Sequence, residues 1–255
     1  MIRKSVLTAS AAPIAAAFVL MGAPGAHAQY FQVPTAQPPG CPQRGVLQVG
    51  TAGADTLNGF AISDVLFGRA GNDLLFGNNG NDCLYGETGN DRLNGGNGND
   101  RLVAGPGNDN LAGSDGVDTL IGEGGNDRMA GSAGNDRLTG GSGNDGLSGG
   151  SGNDTLTAST GNDTITGGSG TDRAFGGAGA DRITGGSGND RLDGNAGADR
   201  ITGNSGRDRI NGGSGNDRIS ARDRTRDKIN CGTGRDRVTA DRIDSVARNC
   251  EVVLR

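Results

Sequence analysis

Residues 185–193 read GGSGNDRLD and residues 140–148 read GGSGNDGLS. Variants of this nine-residue unit fill the chain from Gly50 to Ser220. An aspartate stands at every ninth position from Asp55 to Asp217, nineteen in all, without an insertion or a deletion between them. When the unit is numbered from its first glycine, this aspartate is at position 6. A fixed period held over so many copies identifies a repeat protein, so the repeat must determine the fold.

Three other positions of the unit hardly vary. Position 4 is glycine in eighteen units, with Ile62 as the exception, and position 8 is Leu, Ile or Met in eighteen, with Ala174 as the exception. Position 1 is glycine in seventeen units. Positions 1–6, rich in glycine and small polar residues, predict a turn, and positions 7–9 predict a short strand. Because side chains alternate along a strand, the aliphatic residue at position 8 faces inward and its neighbours face outward.

Two such units placed back to back would enclose one shared aliphatic layer and form a coil of eighteen residues. Stacked coils would pair their strands in parallel at a rise of about 4.8 Å. Nineteen units then make between nine and ten coils, a rod on the order of 45 Å long. A helical fold is excluded because glycine recurs in every unit and a period of nine matches no helical face. The sequence therefore predicts an all-β fold of stacked parallel coils.

The segment before the repeats predicts export. Arg3 and Lys4 give residues 1–28 a positive start, residues 9–20 are mostly apolar, and small residues precede a cleavage point near Ala28. A membrane anchor is the alternative, but the apolar run is too short to span a bilayer as a finished helix. We therefore expect a removable signal peptide, a secreted mature chain and no membrane span in that mature form.

Residues 29–49 form a proline-rich arm, which predicts an extended linker. The first repeats carry apolar residues at positions expected to face outward: Val65, Phe67, Leu74, Phe76, Cys83 and Tyr85. An apolar face at one end of a solenoid usually needs a cover. The arm is the nearest candidate, and a disulfide between Cys41 and Cys83 would hold it there. A docking surface for a partner is the other interpretation.

Residues 221–255 break the register, since Asp217 is followed by Asp227 ten residues later. The segment ends in a stretch richer in apolar residues than the array, which predicts a small C-terminal cap over the open end of the solenoid. A bond between Cys231 and Cys250 would tie this cap. In an exported protein the four cysteines, Cys41, Cys83, Cys231 and Cys250, are expected to form disulfides, and three pairings are possible.

Composition limits the sources of stability and the classes of partner. Glycine accounts for 51 of 255 residues and apolar side chains for 32%, too few for an ordinary core, so the chain needs an external source of stability. The net charge is −5 for the whole chain, and it becomes more negative without residues 1–28. An acidic balance with no basic domain argues against nucleic acid as a partner.

Aspartates eighteen residues apart would lie over one another in two stacks. Two like charges about 5 Å apart repel by roughly 0.8 kcal/mol in water and by several times that in a less polar setting. Summed over the stacks, this repulsion rivals the usual stability of a domain, so the fold needs a cation between neighbouring carboxylates. The turns offer carboxylates, backbone carbonyls and Asn oxygens at twelve of the nineteen positions before Asp. Such an all-oxygen set suits calcium, Ca²⁺, better than magnesium, zinc or copper.

The unit Gly-Gly-x-Gly-Asn-Asp-x-Leu-x resembles the calcium-binding nonapeptide of the RTX, or haemolysin-type, repeat family. The resemblance covers residues 50–220 and implies a parallel β-roll, a right-handed β-solenoid, with calcium held between the glycine-rich turns of successive coils. Asp55 and Asp64 are left out of the expected ligands because Ala54 and Ile62 depart from the unit. The metal ligands that the resemblance implies are Asp73, Asp82, Asp91, Asp100, Asp109, Asp118, Asp127, Asp136, Asp145, Asp154, Asp163, Asp172, Asp181, Asp190, Asp199, Asp208 and Asp217.

Nothing in the sequence supports catalysis. Residues 146–150 match a nucleophile elbow, but the chain's one histidine, His27, lies in the predicted signal peptide, so no histidine base accompanies them. Only about twenty residues separate that signal peptide from the array, so we expect no toxin or protease domain. The sequence therefore predicts a secreted calcium-binding repeat protein that is not an enzyme.

Position 7 is arginine in ten units, so arginines would stack on both faces of the roll. We expect Arg182, Arg200 and Arg218 to stack on one face and Arg173, Arg191 and Arg209 to stack on the other. One interpretation is a solvated surface that offsets the acidic stacks. The other is a ladder for an anionic polymer, which makes the alternative function a calcium-dependent adhesion or matrix module for a surface polymer or protein.

Overall fold

The structure is a computed structural model that describes residues 29–32, 41 and 45–254. The predicted signal peptide, most of the proline-rich arm and the last residue lie outside the described residues. No helix in the part of the chain that is described has the length and hydropathy to cross a bilayer.

All regular elements of this part are β-strands. In chain order they are β1 Gln29–Gln32, β2 Val46–Val49, β3 Thr56–Asn58, β4 Val65–Ala70, β5 Leu74–Asn79, β6 Cys83–Thr88, β7 Arg92–Asn97, β8 Arg101–Pro106, β9 Asn110–Asp115, β10 Thr119–Gly124, β11 Arg128–Ala133, β12 Arg137–Ser142, β13 Gly146–Ser151, β14 Thr155–Thr160, β15 Thr164–Ser169, β16 Arg173–Ala178, β17 Arg182–Ser187, β18 Arg191–Ala196, β19 Arg200–Ser205, β20 Arg209–Ser214, β21 Arg218–Ala221, β22 Lys228–Thr233, β23 Arg237–Ala240, β24 Ser245–Val246 and β25 Val252–Leu254.

The strands form two sheets that run along the length of the solenoid. Sheet A contains thirteen strands, β1 followed by the even-numbered strands in order, and sheet B contains the twelve odd-numbered strands from β3 to β25. Each strand pairs in parallel with the strands two before and two after it, so Leu120 on β10 lies beside Leu138 on β12, eighteen residues later. Only β1 pairs antiparallel, with β2. The predicted parallel β-solenoid with eighteen-residue coils is confirmed.

The strands are twice as long as the sequence pattern predicts. Positions 1–3 of the unit pair with the neighbouring coils, as Glu123 on β10 does with Gly141 on β12, so most strands have six residues and the turns only three. The glycines predicted a turn at these positions. In the structure, the similar coils above and below provide backbone hydrogen-bond partners for them, whatever their side chains are. At position 2 even a non-glycine residue accepts a positive φ, which is +77° at Glu123 and +86° at Ser132.

The core between the two sheets is a single layer built from position 8. Its side chains are 0–3% exposed from Leu57 through Val238, and Ala174 fits in the same layer with no exposure. Where position 1 is not glycine, as at Ala104, Ala158 and Cys231, its side chain belongs to the same buried cluster.

Both sheets continue beyond the array. At the N-terminal end β2 pairs with β4, and at the C-terminal end β22 to β25 pair with the strands before them. Each sheet therefore contains twelve parallel strands, which gives twelve coils rather than nine to ten. The extra coils come from segments without the full repeat, because an open sheet edge can pair with any extended backbone.

Two disulfides close the ends, Cys41–Cys83 and Cys231–Cys250, and no free cysteine is present in the described residues. The structure thus selects one of the three possible pairings, the one that holds the arm to the first coils and the C-terminal residues to the last.

Among the described residues, the apolar face of the first coils is covered on sheet A. There Cys41, Leu47, Val65 and Cys83 form a small buried cluster outside the main core, and the ring of Phe67 stacks on that of Tyr85 at 4.8 Å. On sheet B, Leu74 is 37% exposed. The Cys41–Cys83 bond explains the difference, because it fixes the arm to β6, a strand of sheet A.

Candidate metal centre

The position-6 aspartates lie inside the solenoid, at the turns that precede each strand. All seventeen predicted ligands are 0–3% exposed. Each carboxylate occupies the space beside the position-1 residue of its own unit, which explains why glycine predominates there. A Cβ on Gly149, for example, would lie 2.3 Å from Oδ2 of Asp154.

The aspartates form two stacks, one preceding the strands of each sheet. Within a stack, the backbone N–H of each aspartate donates a hydrogen bond to Oδ1 of the aspartate one coil later. The bond from Asp127 to Asp145 is 2.8 Å long, and the seventeen bonds to the predicted ligands measure 2.6 to 2.9 Å. The structure therefore brings all the predicted ligands together, each beside its neighbours in the stack.

The second carboxylate oxygen, Oδ2, has no such hydrogen bond. Oδ2 of each of the seventeen aspartates is buried and accepts no hydrogen bond from the described residues. A buried carboxylate oxygen with no partner is costly, and natural structures usually supply a donor or a cation. The same defect repeated at all seventeen predicted ligands points to a common ligand and not to a local irregularity.

Asp55 and Asp64, which precede the first two strands of the array, do not share this defect. Oδ2 of Asp64 accepts a 2.6 Å hydrogen bond from the backbone of Phe60, and Oδ2 of Asp55 accepts one from Thr51. These two carboxylates have protein donors where the later ones have none.

Burial raises the pKa of the stacked carboxyls. The pKa of Asp109, Asp118 and Asp199 rises to about 7, and that of Asp145 to about 6, from a usual value of 3.8. Desolvation is the largest cause; the backbone hydrogen bond opposes it, and the charges of neighbouring aspartates add to it. The protein alone therefore disfavours the ionised stack near neutral pH, which is the state that a cation would stabilise.

Backbone carbonyls lie next to the unpartnered oxygens. The point where a Cβ on Gly149 would sit is 2.3 Å from Oδ2 of Asp154 and 2.6 Å from the carbonyl oxygen of Gly167 in the next coil. The same pair of oxygens surrounds the corresponding point at Gly131, Gly176 and Gly185. A carboxylate oxygen and a carbonyl oxygen thus converge on a small space in coil after coil.

The described residues contain no group of three acidic, histidine or cysteine side chains that could hold a metal by themselves. Any ion in the stacks would therefore take most of its ligands from backbone carbonyls, with carboxylates from one or two aspartates. Ca²⁺ accepts six to eight such oxygens in irregular geometry, whereas zinc and copper favour thiolate or imidazole. The donor set fits calcium.

The asparagines before the aspartates have a structural role that the sequence did not reveal. Oδ1 of Asn126 accepts a 2.7 Å hydrogen bond from the backbone N–H of Asn144 in the next coil, and Asn153 does the same for Thr171. The sequence offered these amide oxygens as calcium ligands, and in the structure each accepts a hydrogen bond that stacks two turns. The donor is a backbone N–H, so Val, Thr, Ala or Arg can replace the next Asn without breaking the bond.

Two further aspartates share the geometry of the predicted ligands. Asp227 and Asp236 are 0% and 1% exposed, Oδ1 of each accepts a bond from the aspartate one coil before, and Oδ2 of each has no partner in the described residues. They were missed because the extra residue before Asp227 shifts the register. The Gly-x-Gly-Arg-Asp spacing around Asp236 was the available signal.

Comparison with known proteins agrees with this geometry. The family model of the RTX calcium-binding nonapeptide repeat (4 copies) matches the chain in nine segments, which together cover residues 49–219 without a gap. A comparison with curated proteins finds no significant match. The matched segments span well over half of the 255 residues and contain the stacked aspartates Asp55 to Asp217. The chain belongs to the RTX calcium-binding nonapeptide repeat family.

Proposed function

We propose that this chain is an exported, non-catalytic calcium-binding protein whose β-roll, at neutral pH, is stable only when its stacked carboxylates are neutralised by Ca²⁺. One observation carries the proposal: nineteen buried carboxylates, from Asp73 to Asp236, each with an Oδ2 atom that no described residue satisfies. When bound, calcium would supply positive charge, and these oxygens together with the position-1 carbonyls would form its coordination shell.

The unpartnered carboxylate oxygens together cost more free energy than a folded domain usually has in reserve. Leaving a buried polar group without a partner costs roughly 1–3 kcal/mol, and more when the group is charged. Repeated at nineteen sites, that cost exceeds the roughly 5–15 kcal/mol by which a domain is stable. Anything that binds only the folded state adds its binding free energy to folding. Extracellular calcium modules need dissociation constants of only about 10⁻⁴ to 10⁻³ M, so the ion outside a cell would suffice.

Export is supported by the disulfides and by the family. Disulfides persist in oxidising compartments, RTX repeat proteins are usually secreted, and both cysteine pairs are bonded. A non-catalytic role is supported by the composition of residues 29–255, which contain no histidine to act as a general base. Their buried acids repeat one arrangement, whereas an acid and base pair needs two different environments.

Circular dichroism during a calcium titration of chelator-treated protein tests the proposal. We expect little β signal before calcium and a cooperative rise as the ion is added, complete by about 10 mM, well beyond the weak end of extracellular affinities. Magnesium at the same concentration should be far less effective, because it prefers a tight octahedral shell that keeps its waters. A chain that keeps its full β signal in excess chelator at neutral pH would refute the proposal.

A second candidate function, calcium-dependent adhesion to an anionic polymer, is favoured by one further observation. Arg182, Arg200 and Arg218 are exposed and lie on adjacent strands in direct register, as do Arg173 and Arg191 on the other sheet. Binding of the calcium-loaded protein to an acidic glycan is the test.

A further inference from the structure

The C-terminal half of the solenoid separates its charges by burial. Residues 170–254 contain fifteen arginines and lysines, and all fifteen are exposed. They also contain thirteen acidic residues, of which nine are buried, three are half-buried and only Glu251 is exposed. The net negative charge of the whole chain therefore conceals a strongly cationic surface on this half.

The cations form two ordered rows. On sheet B, Arg182, Arg200, Arg218 and Arg237 occupy the same position on four consecutive strands. Strands lie about 4.8 Å apart, so these four guanidinium-bearing positions span roughly 14 Å in a line along the roll. On sheet A, a similar row consists of Arg173, Arg191, Arg209 and Lys228.

The two faces differ in the row beside the cations. On sheet B that row consists of hydroxyl residues in register: Thr184, Thr202, Ser220 and Thr239. On sheet A the row contains the carboxylate of Asp193, whose Oδ1 accepts a hydrogen bond from Asn211, and Asn230 continues this chain of amides. The sheet A face thus carries an acid and has side-chain amides bonded to one another.

We propose that the outer face of sheet B formed by Arg182, Arg200, Arg218, Arg237 and the four hydroxyl residues beside them, called the arginine face, binds a linear acidic polysaccharide bearing uronate carboxylates. The guanidinium groups pair with the carboxylates, and the hydroxyls are placed to bond the sugar hydroxyls. The row of like charges repels itself, so a polymer whose negative charges recur at a comparable spacing complements it along its whole length.

The shape and composition of the arginine face disfavour nucleic acid. Proteins that bind single-stranded nucleic acid combine a basic groove with aromatic platforms for the bases. From residue 86 onward the only aromatic residue is Phe175, and it lies on sheet A beside Asp193. The arginine face is a sheet surface bordered by hydroxyls, without a stacking platform.

This proposal rests on the proposed function, because the row exists only when the coils are stacked and the buried acids are neutralised. Binding should therefore require calcium. Asp217 and Asp236 immediately precede Arg218 and Arg237 in the sequence, so the coils that stack these aspartates are the same coils that align the arginines.

The test uses the full disulfide-bonded chain at a calcium concentration where circular dichroism shows it fully folded, in about 0.15 M salt, where the Debye length is roughly 8 Å. The probe is fluorescently labelled tetragalacturonate, a four-carboxylate chain too short to gel with calcium. We expect saturable binding by fluorescence anisotropy, no binding of the methyl-esterified probe, and loss of binding in chelator.

Two variants with equal change of charge separate a site from general attraction. Arg182→Thr/Arg200→Thr/Arg218→Thr removes three charges from the arginine face, and Arg173→Thr/Arg191→Thr/Arg209→Thr removes three from sheet A. Threonine occupies position 7 naturally at Thr155 and Thr164, and unchanged calcium midpoints would show that both variants fold. We expect the first variant to lose about tenfold or more in affinity and the second to lose much less.

Three results would overturn the proposal: no binding by the folded protein, equal losses in the two variants, or tighter binding of single-stranded DNA of equal charge. Each leaves the calcium titration unaffected, so the proposed function would stand. Conversely, failure of calcium to induce the fold would refute the proposed function before any probe is added.

Discussion

Oδ1 of Asp145 accepts a 2.8 Å hydrogen bond from the backbone N–H of Asp127, while its Oδ2 is buried without a partner in the described residues. One oxygen links two coils through this hydrogen bond, and the other is available to a ligand. A single side chain therefore couples the stacking of the solenoid to whatever neutralises its charge.

Replacing Asp145 with asparagine should weaken calcium binding more than it weakens stacking. Asparagine keeps an oxygen for the Asp127 N–H but removes the charge, so the calcium-dependent stability should fall by roughly 1–3 kcal/mol. The calcium midpoint by circular dichroism should rise. Glu87→Gln removes one charge from an exposed position and serves as the control. Equal shifts in the two variants would contradict a role for the stack.

Protonation of the buried carboxyls at acidic pH should partly replace calcium in stabilising the roll. The pKa values of Asp82 and Asp118 are raised to about 7, and those of Asp100 and Asp136 to about 6, from 3.8, with desolvation as the main cause. A raised folded-state pKa contributes stability that is full below the unfolded pKa and is lost as the pH rises through the folded pKa. The metal-free roll should therefore gain stability between about pH 7 and pH 4.

The measurement is the β signal of the chelated protein as the pH is lowered from 8 to 4. Calcium affinity should change in the opposite direction, because protons compete for the same oxygens. A chelated chain that loses β signal on acidification over this range would show that the buried carboxyls are not the groups that destabilise it.

Asp227 and Asp236 should behave as members of the stacks although they lie beyond the segments that match the family model. Asp236→Asn should raise the calcium midpoint as much as Asp217→Asn does, because both side chains have one bonded and one unpartnered oxygen. Asp193→Asn is the control, since Asp193 lies on the outer face of sheet A. If Asp236→Asn matched this control instead, the stack would end with the array.

Two glycines six residues apart should respond oppositely to alanine. Gly152 has a φ of +129°, and a Cβ there would come within 1.7 Å of the carbonyl oxygen of Gly134. Gly152→Ala should therefore lower the free energy of unfolding by more than about 1 kcal/mol. At Gly146 the nearest atom to a Cβ would be 3.8 Å away, so Gly146→Ala should be neutral or stabilising by up to about 1 kcal/mol. Thermal unfolding at saturating calcium compares them.

Much of this arrangement could be read from the period alone. Leu120 and Leu138 pair because a nine-residue unit used twice per coil brings every eighteenth residue to the same place, and the aspartates stack for the same reason. Repetition makes such predictions reliable, because the same residue pattern occurs in many units and each unit supports the same interpretation.

The length of the strands and the role of Asn126 could not be read in this way. Both depend on hydrogen bonds between residues eighteen apart, and a glycine or an asparagine has the same local preferences whether or not a neighbouring coil is present. The contribution of Asp227 likewise depends on how the chain accommodates one extra residue in the preceding turn.

By itself the sequence determined the solenoid, its coil length, the aspartate stacks and the oxygen-only character of the site, because these follow from residue types repeated at a fixed interval. Only the tertiary structure decided which carboxylate oxygens lack partners and which charges reach solvent. The acids of residues 170–254 are mostly inside and the bases are all outside. The physical reason is that the burial of a residue depends on which residues surround it in the folded chain. A net charge summed along the sequence therefore does not give the sign of the charge on the protein surface.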